Sequence, residues 1–106
     1  MFKTLKKLFM PSATDGLPEI ISNGALLVDV RTPAEFAVES VPGAINIPLN
    51  CLQSQLQQLR GRKSIVVFCR SGNRSSQAKS ILEQHGFQHV INGYTWQNVQ
   101  QCLTHK

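Results

Sequence analysis

The chain has 106 residues, 42% of them hydrophobic and 16% charged, and a formal net charge of +5. This length and composition supply one compact domain and exclude a second. The basic residues occur in separate groups rather than in a stripe interleaved with aromatic residues, which argues against nucleic-acid binding and favours small anionic substrates and acidic partners.

The N-terminal segment is basic and amphipathic. Its apolar residues can share one helical face opposite the lysines: Phe2, Leu5, Leu8 and Phe9. Such a segment can lie on a membrane surface, dock a partner, pack on its own domain or fray, and we favour the last two. We divide the chain into a tail and connector over 1–16 and a folded domain over 17–106. No signal-peptide or membrane-spanning stretch is predicted.

Four short apolar runs alternate with helical patterns along the folded part. The predicted strands are 25–30, 44–47, 65–68 and roughly 89–92. Alternation of strands and helices is typical of a parallel sheet. We therefore predict an α/β fold with a small parallel β-sheet flanked by helices on both faces.

Two helices are marked by their ends and their spacing. The first is predicted over 51–60 with Asn50 as its N-cap, and its buried stripe consists of Leu52, Leu56 and Leu59. The second begins near Arg74 and ends at His85 and Gly86, a cation and a glycine where a helix C-terminus favours them.

The most informative segment is 65–76, which reads IVVFCRSGNRSS. An apolar run ends in Cys69, and a short loop then leads into a helix. The backbone N–H groups of 70–75 have no strand partner and can converge in front of the helix N-terminus. Arg70 and Arg74 add positive charge, so we expect a lowered pKa for the Cys69 thiol and a nucleophile at neutral pH. The plain alternative is a small apolar residue that ends a strand.

Three segments resemble the signatures of the rhodanese family. Residues 27–36 read LVDVRTPAEF, residues 41–49 read VPGAINIPL, and the Cys69 loop is the third. Their order resembles that of a single-domain rhodanese. The chain departs from the family pattern at Ser40 and Val41, where relatives typically carry a histidine, and at Asn92-Gly93-Tyr94, where relatives often have two glycines. The second departure is expected to alter the turn that faces the pocket, and with it acceptor access.

The resemblance implies a sulfurtransferase that needs no cofactor. Cys69 takes a sulfane sulfur from thiosulfate or a similar donor as a persulfide, and a thiophilic acceptor such as cyanide or a cellular thiol then removes it. The loop stabilises the anions, which assigns substrate binding to Arg70, Ser71, Gly72, Asn73, Arg74 and Ser75. We expect Arg70 to hold the anionic oxygens of the donor.

Several residues around the loop have two candidate roles. Arg74 either faces the anion or anchors the loop by pairing with Glu35 or Asp29. We favour the anchor, because the N–H groups of the loop need external support to stay directed at one point. Asp29 and Arg31 end a strand at the sheet edge where ligands bind, but structural pairing is favoured for both. Trp96 either lines the pocket mouth or belongs to the core, and the helical spacing favours the core.

Two other functions are retained as alternatives. One is a persulfide carrier module that serves a sulfur-relay partner protein, for which the basic turn at 60–63 is the candidate docking surface. The other is a phosphatase or arsenate reductase. Only four residues separate Cys69 from Arg74, whereas phosphatases with a similar anion-binding loop have five residues between their cysteine and arginine. The shorter loop encloses a smaller space, which favours a sulfur anion over phosphate.

The remaining cysteines and histidines indicate no further site. Three cysteines without C-x-x-C spacing favour a reducing compartment, the cytoplasm. Cys51 and Cys102 are read as ordinary small residues, with a resolving-cysteine role as the alternative. The three histidines show no ligand spacing, so no metal site is predicted. A monomer is expected.

Overall fold

The computed structural model of the protein describes residues 16–104. Four strands form one sheet in the order β2-β1-β3-β4, and every neighbouring pair is parallel. The strands are β1 Leu26–Asp29, β2 Ile45–Asn46, β3 Ile65–Cys69 and β4 Val90–Thr95. The helical elements are α1 Leu17–Ser22, α2 Pro33–Val38, the 3₁₀ segment Leu49–Leu59, α3 Asn73–Gln84 and α4 Trp96–Thr104. The predicted small parallel sheet is confirmed.

Two apolar clusters pack on the sheet. One joins the 3₁₀ segment and α3 to the sheet through Leu52, Leu59, Ala78 and Leu82, and the other joins α1 and α4 to it through Leu17 and Val99. Successive residues of β3 alternate between the clusters, as expected for a strand whose neighbouring side chains point to opposite faces. The sheet is therefore covered on both faces, as predicted.

The central strand β3 carries the residue of greatest chemical interest. All five of its residues are buried, which explains why the sequence is a continuous apolar run rather than an alternating one. The strand extends one residue beyond the predicted 65–68, so Cys69 is its last residue. The thiol is thereby fixed at the carboxyl end of the sheet, where parallel α/β folds bind ligands.

A helix was predicted over 51–60 with Asn50 as its N-cap, and the structure has a helical segment there, but its start and its cap differ from the prediction. The segment is a 3₁₀ helix that begins after Pro48, and its residue Gln55 has non-helical angles. Asn50 lies inside it and no side chain caps it. The N–H of Cys51 donates to the Pro48 carbonyl at 2.8 Å, an i to i−3 hydrogen bond that tightens the first turn. The leucine stripe nevertheless packs against the core as predicted.

The last strand is longer than the predicted 89–92, because a β-bulge carries it through a sequence that reads as a turn. The partner of Val67 is Asn92 and the partner of Phe68 is Tyr94, so Gly93 is the extra residue. A Cβ atom at Gly93 would lie 2.6 Å from Cγ2 of Val99, which explains the glycine. The bulge positions Asn92 and Tyr94 beside the Cys69 loop.

The predicted tail and connector lie outside the described residues, except for Gly16. Within residues 16–104, no helix has the length and apolar character needed to cross a membrane.

Candidate functional site

The loop after Cys69 turns sharply into helix α3. Gly72 precedes the helix with a φ of 96°, in the left-handed region. A Cβ atom at this position would also lie 3.0 Å from Cδ1 of Tyr94. Both the backbone angle and the close approach therefore require glycine.

The Cys69 sulfur accepts hydrogen bonds from this turn. The N–H of Gly72 donates to Sγ at 3.0 Å and the N–H of Ser75 at 3.4 Å, while the Ser75 hydroxyl oxygen lies 3.5 Å from Sγ. Cys69 itself has no exposed surface. The arrangement supplies N–H donors to a buried sulfur at the base of the loop.

The surroundings of the sulfur favour its ionised form. Burial raises the pKa of the Cys69 thiol, but hydrogen bonds from the Ser75 hydroxyl and from the backbone N–H groups of Ser75, Ser71 and Gly72 outweigh burial, so the pKa is lowered. The lowered pKa was expected. The backbone N–H groups contribute to this lowering as expected, whereas its main causes are hydrogen bonds to the sulfur rather than the charges of Arg70 and Arg74.

Arg74 is turned toward helix α2. Its Nη1 donates to Oε1 of Glu35 at 2.8 Å and its Nη2 to Oε2 at 3.2 Å. Glu35 is also held by Thr32 in a capping box, in which each residue accepts a hydrogen bond from the backbone N–H of the other. Of the two candidate orientations of Arg74, the structure has the ion pair with Glu35. The start of α3 is thereby tied to the start of α2.

Asp29 and Arg31 form a buried ion pair. Nη2 of Arg31 lies 2.8 Å from Oδ2 of Asp29, and the hydroxyl of Ser40 donates to the same oxygen at 2.6 Å. The amide of Asn46 donates to the carbonyls of both residues of the pair. The sequence analysis assigned no role to Ser40, which it noted only as a departure from the family pattern, or to Asn46, because their partner Asp29 lies 11 and 17 residues away.

A cleft of about 290 Å³ lies beside the loop. Its walls include Arg70, which is exposed, and Trp96, which is half-buried. The Arg31 guanidinium carbon lies 5.6 Å from the centre of the Trp96 ring. Trp96 also packs against the apolar cluster of α1 and α4. Trp96 therefore has both of its candidate roles, because it packs in the core and also lines the pocket.

A second depression, of about 490 Å³, is lined by other residues of the predicted binding loop. Ser71, Gly72 and Asn73 border it together with Asn92 and Tyr94 of β4. The loop is thus accessible from two sides. In the sequence analysis, Asn92 ended a predicted strand and belonged to a departure from the family pattern, but it was assigned no role at the site.

The basic turn at 60–63 lies at the other end of the sheet. It leads into the amino end of β3, whereas Cys69 ends that strand, about 13 Å further along. Arg60 lies over the Phe87 ring at 4.5 Å and donates to the His85 carbonyl. A partner bound only to this turn would not contact Cys69, so the expectation of a docking surface there is not supported by the fold.

The other two cysteines are free and half-buried. Burial raises the pKa of Cys102. In the part of the chain from 16 to 104, no group of three or more histidine, cysteine or acidic side chains is arranged to hold a metal ion.

Comparison with known proteins identifies the family. The rhodanese-like domain model matches residues 13–95, and the chain belongs to this family. A sulfurtransferase of Allochromatium vinosum is 40% identical over 67 residues, 63% of each chain. The thiosulfate sulfurtransferase PspE of Escherichia coli is also 40% identical over 67 residues, which are 61% of this chain and 64% of PspE. The chain thus spans just under two thirds of the length of these two relatives.

The comparisons extend to a carrier-type relative and to solved structures. YrkF of Bacillus subtilis, a candidate sulfur carrier protein, is 33% identical over 62% of this chain and 36% of its own length. A structure described as a rhodanese with anions from E. coli has a TM-score of 0.66 and 35% identity, covering 71% of this chain and 91% of that one. The family is therefore one of sulfurtransferases that also has a carrier-like member.

Proposed function

We propose that the protein transfers a sulfane sulfur from thiosulfate, or a similar anionic donor, through a persulfide on Cys69. The Cys69 thiolate attacks the outer sulfur of thiosulfate, the S–S bond of the donor breaks, and sulfite leaves with the bonding electron pair. A Cys69 persulfide anion remains. A thiol or cyanide then attacks the outer sulfur and returns the electron pair to Cys69 as thiolate.

The observation that carries this proposal is the set of N–H groups around the Cys69 sulfur. The N–H groups of Gly72 and Ser75 lie 3.0 and 3.4 Å from Sγ. Donors fixed in advance stabilise an anion without reorganising during the reaction. The four-residue spacing between Cys69 and Arg74, with Arg74 occupied by Glu35, supports a small sulfur anion rather than a phosphate as the ligand.

Arg70 is the residue proposed to hold the donor. It is exposed, it follows the nucleophile directly, and it lines the cleft of about 290 Å³. Its guanidinium can donate paired hydrogen bonds to the sulfonate oxygens. Because the thiolate must stay free, we also propose a reducing compartment, the cytoplasm, as the place of action.

A second candidate is a persulfide carrier whose acceptor is a specific protein. Val38 favours it, since this residue is 87% exposed and lines the same cleft as Arg70 and Trp96. An exposed apolar residue beside a reactive centre fits a partner surface. Any docking partner would then bind at the cleft and not at the turn 60–63.

The test is mass spectrometry of the protein after brief exposure to thiosulfate without reductant. We expect one added sulfur on the peptide that contains Cys69, its removal by cyanide as thiocyanate, and its absence in Cys69→Ser. The matched control is Cys51→Ser, which should still gain the sulfur. No added sulfur on Cys69 would contradict thiosulfate as donor.

Steady-state kinetics separate the candidates. Sustained turnover of thiosulfate and cyanide supports the enzyme, whereas a single loading event without turnover supports the carrier. Hydrolysis of an aryl phosphate would instead favour the phosphatase alternative, which the short loop disfavours.

A further inference from the structure

Tyr94 has an unusual backbone conformation close to the reactive cysteine. Its φ of 69° lies in the left-handed region, and within residues 16–104 it is the one non-glycine residue with a positive φ. It follows the bulge at Gly93 and pairs with Phe68 of β3. A side chain with a Cβ atom disfavours this region, and residues that are held in it concentrate at functional sites. The position therefore carries a conformational cost that a glycine would avoid.

Several contacts hold Tyr94 in this conformation. Its backbone N–H donates to Oδ1 of Asn92 at 2.8 Å, and the Ser75 hydroxyl lies 3.5 Å from its carbonyl oxygen. The Ser75 hydroxyl also lies 2.7 Å from Oδ1 of Asn92. The end of β4 is thereby fixed to the first turn of α3, and the surrounding structure determines the conformation of Tyr94.

This conformation directs the Tyr94 side chain onto Gly72. A Cβ atom at Gly72 would lie 3.0 Å from Cδ1 of Tyr94, and its three nearest heavy atoms beyond the chain neighbours all belong to Tyr94. The Tyr94 side chain is half-buried and also packs against the apolar cluster of α1 and α4. The ring thus connects a packed core to a glycine that has no side chain of its own to pack.

Gly72 supplies the shortest hydrogen bond to the Cys69 sulfur. Its N–H lies 3.0 Å from Sγ, compared with 3.4 Å for the N–H of Ser75. The carbonyl of Gly72 is held by the N–H of Ser76 in α3 at 3.1 Å, but its Cα has no Cβ atom to limit its movement. We propose that Tyr94 is a positioning residue whose ring holds the Gly72 N–H on the Cys69 sulfur.

A loosened Gly72 has a definite consequence for the cysteine. The hydrogen bond from its N–H is one of those that lower the pKa of the Cys69 thiol, so weakening this bond raises the pKa. The variants below alter none of the charged groups that surround the loop, which are Asp29 with Arg31, Glu35 with Arg74, and Arg70.

The test is the pH dependence of Cys69 alkylation by iodoacetamide, resolved by peptide mass spectrometry. The midpoint of the pH profile reports the ionisation of the thiol, whereas the plateau rate at high pH also reports access to it. Tyr94→Ala removes the ring, so the midpoint should rise by about half a unit to one unit. Tyr94→Phe keeps the ring and should have the midpoint of the wild type.

Two further variants separate positioning from packing. Tyr94→Gly removes the ring and also the backbone cost, so it should be more stable in urea than Tyr94→Ala while its alkylation midpoint rises as much. The matched control is Ile91→Ala, which removes apolar contacts to the same cluster. It should be less stable than the wild type, with an unchanged alkylation midpoint.

The outcomes that would overturn the inference are specific. They are an unchanged midpoint in folded Tyr94→Ala or Tyr94→Gly, a rise in Tyr94→Phe as large as in Tyr94→Ala, or an equal rise in Ile91→Ala. If Tyr94→Ala fails to fold, Tyr94→Gly decides, because its backbone is not strained.

The inference also predicts a slower sulfur loading, and this part rests on the proposed function. Below the midpoint, the smaller fraction of thiolate should slow persulfide formation from thiosulfate by about three- to tenfold in Tyr94→Ala. Alkylation needs no sulfur donor. A raised alkylation midpoint in a chain that gains no sulfur from thiosulfate would therefore support the role of Tyr94 and contradict only the proposed function.

Discussion

Arg74 and Glu35 join the loop of the reactive cysteine to a helix 39 residues earlier in the chain, through hydrogen bonds of 2.8 and 3.2 Å. The pair does not touch the sulfur. It fixes the first turn of α3, which contains the Ser75 N–H that faces Cys69. The pair is thus placed to hold the N–H donors in position.

Breaking this pair should slow persulfide formation more than it destabilises the fold. Because the pair is partly exposed, we expect a coupling energy of about 1 kcal/mol or less between Arg74→Gln and Glu35→Gln in a double-mutant cycle. Persulfide formation should fall about tenfold or more, since small displacements of positioned donors are costly to rate. Urea unfolding and stopped-flow reaction with thiosulfate measure the two effects.

The matched control for this prediction is the exposed pair Lys79–Glu83 on the same helix. Removing it with Glu83→Gln should leave the rate of persulfide formation unchanged. Equal rates in Glu83→Gln and Glu35→Gln would show that the Arg74–Glu35 pair has no special relation to the loop.

The same pair predicts a pH dependence of stability. The hydrogen bond from Arg74, with a second from the Thr32 backbone, lowers the pKa of Glu35 from 4.5 to about 2. A carboxyl group with a lowered pKa in the folded state adds stability above its unfolded pKa and loses it as the pH falls through the folded one. The free energy of unfolding should therefore decrease between pH 4.5 and about 2 more steeply in the wild type than in Glu35→Gln. Parallel urea-unfolding curves across this window would contradict the prediction.

The features that were predictable from the sequence are local ones. The uninterrupted apolar run of β3 indicates a strand buried on both faces, and the glycine-containing loop after Cys69 indicates a tight turn into a helix. Each depends on residues within a few positions of one another. The capping box of Thr32 and Glu35 is equally local and could have been recognised from its S/T-x-x-E pattern.

The features that were missed depend on contacts between distant segments. Gly93, the extra residue of the bulge in β4, lies against Val66 and Val99, and no local pattern reveals these contacts. The predicted strand therefore ended at Asn92, which is paired with Val67 in the sheet, although β4 continues through the bulge to Thr95. The spacing of Leu52, Leu56 and Leu59 indicated a helix over 51–60, but it did not reveal that the segment is a 3₁₀ helix interrupted at Gln55.

The buried pair of Asp29 and Arg31 should be the most sensitive polar contact of the described fold. Asp29→Asn leaves the Arg31 guanidinium buried without its counter-charge, so we expect a loss of about 3 to 5 kcal/mol in the free energy of unfolding. Ser40→Ala removes one hydrogen bond to the same carboxylate and should cost about 1 kcal/mol. Urea unfolding of both variants tests the ranking, and an Asp29→Asn variant no less stable than Ser40→Ala would refute it.

Arg70 should determine the affinity for the donor without affecting the second half of the reaction. A charge-assisted hydrogen bond to the sulfonate implies that Arg70→Ala lowers kcat/KM for thiosulfate by about 10- to 100-fold. The rate at which cyanide discharges a preformed persulfide should stay near that of the wild type.

Arg62→Ala is the matched control, because it removes the same charge at the opposite end of the sheet. If kcat/KM for thiosulfate falls by the same factor in both variants and high salt abolishes the difference from the wild type, the effect is general attraction of anions by a basic protein. A loss confined to Arg70→Ala, and partly restored in Arg70→Lys, would identify Arg70 as the residue that contacts the donor.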